Sequence, residues 1–130
     1  MNKTFAATLW VAAVVIAAPA WAPARAEGNA ARGERLFNQQ CKACHTLEKG
    51  GASTVGPNLQ GLIGRKAGTE GGYQSSDAMK KSGIVWDDKA LAEYLKDPKA
   101  KVPGTKMVYI GLKQEAQQQD MIEFLKKATQ

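Results

Sequence analysis

The sequence predicts a small all-α domain of three to five helices joined by long loops. Within residues 27–130, apolar residues recur at helical spacing near both ends, and no segment alternates polar and apolar residues as a strand would. A glycine-rich stretch over 50–72 separates these ends and shows little helical pattern. With 130 residues in total, the chain has room for one small domain and not for a second.

Residues 1–26 have the pattern of a secretory signal peptide. A basic start at Lys3 precedes an apolar run from Leu9 to Ala18, and the small-x-small sequence Ala24-Arg25-Ala26 follows. An uncleaved anchor or a core helix is less favoured, because the run is well short of the ~20 apolar residues that a bilayer requires. We therefore expect export to the periplasm, cleavage after this sequence, no stable membrane insertion and a mature domain over 27–130.

The mature domain is predicted to begin with a helix over 28–40. Gly33, Leu36 and Phe37 lie at helical spacing in it. Because glycine costs up to ~1 kcal/mol inside a helix, Gly33 indicates close approach of another helix. The loop over 50–72 follows, and an irregular loop longer than ~15 residues is unusual in a compact domain unless it has a function.

Three further helices are predicted along the rest of the chain. A short one covers 77–82. A clearer one begins near Asp87 or Asp88, because acidic residues suit the cap and first turn of a helix, and it stops at Pro98. The last runs over about 114–128, with two lysines near its negative C-terminal end.

The sequence Cys41-Lys42-Ala43-Cys44-His45 is typical of covalent haem c attachment. Two thiols about one helical turn apart can each add to a haem vinyl group, and the next residue brings its imidazole to the iron. Three alternatives are weaker. A thioredoxin-like centre requires βαβ units, a zinc site requires ligands that the chain does not have elsewhere, and a structural disulfide leaves the histidine unexplained.

The other face of the haem iron must be filled by a residue other than histidine, or stay open. Met121 lies in a helical apolar pattern and is predicted to pack in the core, while Met79 lies in a lysine-flanked stretch that suits a helix face. Met107 follows the turn-forming segment 102–106, which keeps it in an irregular loop. The local sequence favours Met107 as the second ligand, with loop packing as the alternative.

Taken together, the motifs resemble class I cytochromes c of the mitochondrial-like type found in bacteria, over nearly all of residues 28–128. The most specific matches, besides the haem motif, are Gly56-Pro57-Asn58-Leu59-Gln60-Gly61, Gly64-Arg65-Lys66, Tyr94-Leu95-Lys96-Asp97-Pro98, Pro103-Gly104-Thr105-Lys106-Met107 and Phe124-Leu125-Lys126-Lys127-Ala128-Thr129. The resemblance implies the class I cytochrome c fold and one haem c held by Cys41 and Cys44. It also implies His45 as the proximal ligand of the iron and Met107 as the distal one.

The resemblance further implies supporting roles for four residues. Pro57 offers its carbonyl to the imidazole N–H of the histidine ligand, which fixes the orientation and basicity of the ring. Tyr94 lies near the sulfur of the methionine ligand, Trp86 lies near a haem propionate, and Arg65 offsets propionate charge.

Three positions depart from the family pattern. Ser75 stands where a propionate-bonding tyrosine is common, and Met79 stands where an asparagine near the distal ligand is common. Both positions bear on the redox potential and on the hydrogen bonding near the distal ligand. Tyr109 stands where phenylalanine is common, so its hydroxyl needs a partner or solvent.

An iron with both axial positions filled has no site for a substrate, so we expect a one-electron carrier and not an enzyme. It would pass electrons from a quinol-oxidising membrane complex or a dehydrogenase to a terminal oxidase or photosynthetic reaction centre. Methionine ligation and a buried haem predict a positive midpoint potential. A peroxidase-like enzyme or a CO or NO sensor is the alternative and requires an open distal site, and a dedicated dehydrogenase subunit would use the same chemistry with a fixed partner.

The chain is basic, with a formal net charge of +6. It has no basic run long enough for a nucleic-acid arm, and its aromatic residues are not interleaved with basic ones. An acidic protein partner is therefore favoured over a nucleic acid, with an ordinary solvated surface as the alternative. We expect a monomer in which four lysines surround the haem edge and steer it onto acidic patches: Lys42, Lys99, Lys106 and Lys113.

Overall fold

The structure, a computed structural model, describes residues 27–130. Within this range it contains five helices and no strand, and an isolated antiparallel bridge joins Lys66 to Val85. The helices are α1 (Ala30–Gln40), α2 (Asp77–Lys81), α3 (Asp88–Lys96), α4 (Pro98–Lys101) and α5 (Glu115–Ala128). This confirms the predicted all-α class. The signal peptide predicted over 1–26 lies outside the described residues, and none of the five helices combines the length and the apolar character needed to cross a bilayer.

The helix starts follow from their capping residues. Asn29 accepts a hydrogen bond from the Arg32 N–H at 3.0 Å, so α1 begins two residues after the predicted start. Asp87 caps α3 in the same way, through the Ala90 N–H at 2.7 Å. Sequence analysis did not predict α4. Pro98 ends the preceding helix and also opens a new one, because the first turn of a helix needs no N–H from that position.

Helices α1 and α5 cross at very short distance. A β-carbon built on Gly33 would lie 2.0 Å from the carbonyl oxygen of Asp120, so only glycine allows this approach. The rings of Phe37 and Phe124 pack beside the crossing, with their centroids 5.4 Å apart. Gly33, which the sequence predicted to lie where another helix comes close, therefore contacts α5, and Phe37 packs against the same helix.

The crossing is also fastened by a buried carboxylate. Asp120, whose side chain is only 6% exposed, accepts hydrogen bonds from the Arg32 side chain at 2.7 and 2.9 Å and from the Asn29 N–H at 2.6 Å. Principally through the Arg32 hydrogen bond, these contacts lower the pKa of Asp120 below its ordinary value of 3.8. The carboxylate therefore stabilises the fold above that value, and this contribution is lost as the pH falls toward the folded-state pKa.

Asp120→Asn is expected to lower the free energy of unfolding at neutral pH, and the difference from the parent protein should shrink as the pH falls below 3.8. The amide keeps the shape of the side chain but loses the charge that holds Arg32. Denaturant unfolding of the haem-loaded protein between pH 7 and pH 3 measures this, with Glu34→Gln as a control on an exposed acid of α1. A stability difference that did not change with pH would contradict this role of the carboxylate.

The hydrophobic core lies between α1, α3 and α5 and continues into the wall of a large cavity. Met121 is fully buried in α5, as its apolar pattern predicted. The long loop over 50–72 is free of helix, as expected, and borders the same cavity. The core residues that also line this cavity are Phe37, Leu62, Trp86, Leu91, Tyr94, Leu95, Met121 and Leu125.

Candidate haem site

The cavity is the natural place for a large apolar ligand. The space between its lining atoms measures about 910 Å³, including solvent at its open side, and the lining is mostly apolar, as is typical of cofactor sites. Its walls come from α1, α2, α3 and α5 and from the loops between them. The predicted site residues that line it together are Cys41, His45, Pro57, Arg65, Trp86, Tyr94 and Met107. Cys44, the remaining predicted attachment residue, is half-buried and does not belong to this wall.

The two cysteines lie in the turn that follows α1. The N–H of Cys44 donates to the carbonyl oxygen of Cys41 at 3.0 Å, and the N–H of His45 donates to the same oxygen at 2.9 Å. Both thiols are free. Burial, followed by the neighbouring thiol, raises the pKa of Cys41 to about 11. The arrangement places two thiols and an imidazole on one continuous turn, as thioether attachment of a haem requires.

The imidazole of His45 is oriented by the backbone. Its Nδ1 lies 2.8 Å from the carbonyl oxygen of Pro57, which can only accept, so Nδ1 carries the proton and Nε2 has a free lone pair for a metal. Burial lowers the pKa of His45, partly opposed by this hydrogen bond. The neutral ring, which is the form that binds metals, is therefore favoured.

The start of the long loop is held closely against the attachment segment. The Gly56 N–H donates to the carbonyl oxygen of Cys44 at 2.8 Å, and the Thr54 hydroxyl donates to the same oxygen at 3.0 Å. A β-carbon at Gly56 would lie 2.6 Å from Cε1 of His45. The glycine before Pro57 thus gives the imidazole its space, a role that the sequence analysis did not assign.

Three methionines, Met79, Met107 and Met121, line the cavity. Met79 lies on the helix α2, as its sequence suggested, and its side chain lines the cavity. Met107 lies in the irregular loop after α4, and its N–H donates to the Thr105 hydroxyl at 3.3 Å. The Tyr94 hydroxyl lies 2.8 Å from the same Thr105 oxygen. Tyr94 therefore reaches the methionine loop through this threonine.

Arg65 is already engaged within the protein. Its guanidinium donates to the carbonyl oxygens of Gln60 at 2.7 Å and Asn58 at 3.2 Å, and it forms an ion pair with Glu70. The sequence analysis predicted no such partner. Glu70 lines the cavity together with Ser75, and Ser75 is buried.

The hydroxyl of Tyr109 has a hydrogen-bond partner within the protein, as its position in the sequence led us to expect. It donates to Oε1 of Gln40 at 2.6 Å, which ties the methionine loop to the end of α1 beside the first cysteine. Burial, and secondarily the nearby Cys41 thiol, raises the pKa of Tyr109 to about 12, so the hydroxyl stays protonated at neutral pH. The role of Gln40 had no signal in the sequence, because the two residues meet only in the folded chain.

The chain is similar to known proteins over most of its length. Residues 30–129 match the sequence model of the family described as Cytochrome c. The chain is 52% identical over 103 residues to the cytochrome c of Theileria parva, a match that covers 79% of this chain and 89% of that protein. It is 47% identical over 103 residues to the cytochrome c of Arabidopsis thaliana, covering 79% and 92% of the two chains. With the cytochrome c of Gibberella zeae it shares 47% identity over 104 residues, covering 80% and 98%.

These three relatives are cytochromes c of eukaryotes, which fits the resemblance to class I cytochromes c. The residues of the cavity fit the prosthetic group of the family, since an apolar volume, a two-thiol turn and an imidazole with a free Nε2 meet in one place. Because the family match spans residues 30–129 and these relatives cover 79–80% of the chain, this protein belongs to the cytochrome c family, whose members transfer electrons on a covalently attached haem c and are not enzymes.

Proposed function

We propose that this protein is a periplasmic one-electron carrier whose haem iron is held between His45 and Met107. The observation that carries the proposal is that these two residues, from distant parts of the chain, line one cavity, with Nε2 of the histidine left free. When bound, the haem supplies reversible one-electron exchange at its iron. Two protein ligands leave no coordination position for a substrate, so the carrier function is supported over the peroxidase-like or gas-sensing alternative.

Each side chain of the proposed site has a task that its contacts support. Cys41 and Cys44 would hold the haem through thioether bonds, so the cofactor cannot be lost after export. The Pro57 carbonyl keeps the imidazole of His45 in one orientation and one tautomer. The cavity wall is mostly apolar, and Tyr94 contacts the methionine loop through Thr105. A low-dielectric surrounding of this kind disfavours the more highly charged oxidised iron and supports the positive midpoint potential expected from the sequence.

The periplasmic location is supported by the signal-peptide pattern of residues 1–26. Expression of the full chain in a bacterium with a periplasmic haem-attachment system tests it. We expect a red holoprotein in the periplasmic fraction whose first residue is Glu27. A matched chain that begins at residue 27 behind a new methionine should remain in the cytoplasm without haem. Recovery of the holoprotein from the cytoplasm, with the first 26 residues intact, would overturn the periplasmic part of the proposal.

We further propose that the partners present carboxylates to a basic face around the methionine loop. Lys42 and Lys99 are exposed and form no salt bridge within residues 27–130. Lys106 donates to the carbonyl oxygen of Gln74 at 2.7 Å, and Lys113 donates to that of Lys96 at 2.8 Å. Both contacts are with neutral carbonyl oxygens, although Asp97 also lies 3.8 Å from the Lys113 Nζ.

Two exposed apolar residues lie in the same loop, between Lys106 and Lys113 in the sequence. Val108 is 91% exposed and Ile110 is 85% exposed, and they flank Tyr109 in the loop. Apolar centres with charged rims are typical of specific interfaces. The combination supports a small, transient interface in which charge speeds the encounter and the two apolar residues make close contact.

Replacing the four proposed docking lysines by glutamine removes four positive charges. At low ionic strength, this should slow electron transfer to the anionic oxidant hexacyanoferrate and speed electron transfer to a cationic cobalt complex. The opposite signs are expected because the same local potential attracts one reagent and repels the other. Stopped-flow kinetics at several salt concentrations measure both rates, and the difference should fade as salt rises. Lys127→Gln serves as the control on an exposed lysine of α5. Rates that match the control with both oxidants would contradict a directing role for these lysines.

A further inference from the structure

One end of the cavity carries an acidic residue that the haem function does not explain. Glu70 lines the cavity beside Arg65, and its side chain is 22% exposed, against 17% for that of Arg65. The guanidinium donates to two neutral carbonyl oxygens, and Glu70 is the one negatively charged group among its partners in the described residues. Since haem c carries two propionates of its own, two kinds of carboxylate compete for a single guanidinium.

The Arg65–Glu70 ion pair is partly buried, and the turn that carries it is fixed by contacts with the rest of the fold. Between the two residues, Ala67 is buried, and its N–H donates to the carbonyl oxygen of Ile84 at 2.8 Å. The Thr69 hydroxyl closes the turn by donating to the carbonyl oxygen of Lys66 at 2.7 Å. A partly buried pair on a fixed turn is screened by salt less than an exposed pair, so its charges act on whatever fills the cavity.

We propose that Glu70 is a potential-setting residue, which neutralises Arg65 at the cavity wall and thereby lowers the midpoint potential of the haem. Reduction adds one negative charge to the site. An unopposed guanidinium would favour that charge, whereas a guanidinium paired with a carboxylate within the protein favours it less. This assigns Glu70 an electrostatic role through Arg65, and the inference requires only the haem c of the family, not the proposed compartment or partners.

The test is a potentiometric titration of the purified holoprotein and of Glu70→Gln. The glutamine side chain has nearly the same shape and its carbonyl still accepts from Arg65, so the substitution removes only the charge. We expect a more positive midpoint, by clearly more than the shift in Glu48→Gln, which neutralises an exposed acid that does not line the cavity. Unchanged visible spectra in both redox states would show that the iron ligands are the same as in the parent protein.

Glu70→Asp distinguishes charge from packing. It keeps the charge and shortens the side chain, so its midpoint should stay near that of the parent protein while the glutamine variant shifts. Glu70→Ala is the second neutral variant, used if the glutamine variant loads haem poorly, and it should shift in the same positive direction. An unchanged or lowered midpoint in the neutral variants, or an equal shift in the aspartate variant, would overturn the proposal.

Discussion

Met107→Ala is expected to open the haem iron to carbon monoxide, whereas Met79→Leu and Met121→Leu are expected to leave it closed. All three thioethers line the cavity, so proximity alone does not choose between them. Met121 is fully buried in the core of α5, and Met79 belongs to a short helix. Met107 lies in an irregular loop whose backbone contacts the Thr105 hydroxyl, so its position is not fixed by a helix, and its sulfur would be the one to bind a haem iron in the cavity.

The expected result has three parts. The oxidised Met107→Ala holoprotein loses the far-red band that arises from methionine-to-iron charge transfer, the reduced protein binds carbon monoxide, and the midpoint potential falls because a soft ligand that favours Fe(II) is gone. The leucine variants conserve side-chain volume, so each should cost less than about 1.5 kcal/mol of stability and keep the band. If Met79→Leu lost the band and Met107→Ala kept it, the distal ligand would be Met79, which would contradict the assignment of Met107.

Gly33→Ala is expected to destabilise the protein although alanine is the better helix former. The added β-carbon would lie 2.0 Å from the backbone oxygen of Asp120, and a backbone carbonyl in the middle of α5 cannot move aside cheaply. Alanine has an intrinsic advantage of ~1 kcal/mol over glycine in a helix. Overpacking of a tight contact costs about 1–3 kcal/mol or more, and here two helix backbones must separate, so the loss should exceed the gain.

Denaturant unfolding of the holoprotein measures this prediction, with Gly71→Ala as the matched control. Gly71 has a backbone conformation open to any residue, and no atom lies within 4 Å of its added β-carbon. The control should therefore be close to neutral in stability. Because α1 and α5 both contribute to the cavity wall, Gly33→Ala should also weaken the retention of the methionine ligand. A Gly33→Ala protein as stable as the parent would contradict the close crossing of the two helices.

The comparison of sequence and structure shows which features depend on local pattern. Helix α1 was predicted two residues early and α5 one residue early, because periodicity does not specify which residue forms the cap. Helix α4 was missed, since Pro98 was interpreted only as a stop. Gly33 was interpreted correctly from sequence alone, because a glycine within a strong helical pattern has few other uses.

The site was predicted to a similar degree. The two-cysteine motif and the contact between His45 and Pro57 lie as expected, although the latter came from the family resemblance and not from spacing. Partners that depend on the folded chain were not predictable: Gln40 for Tyr109, and Glu70 for Arg65. The second pair is close in sequence, but it lies in a loop that has no repeating pattern from which a contact could be inferred.

A closed iron between His45 and Met107 can be recognised in the visible spectra of the purified holoprotein, oxidised and reduced, recorded with and without carbon monoxide. We expect a far-red band in the oxidised protein and no change in the reduced spectrum when carbon monoxide is added. Ready binding of carbon monoxide, together with absence of the far-red band, would contradict the closed site and favour a haem enzyme or gas sensor.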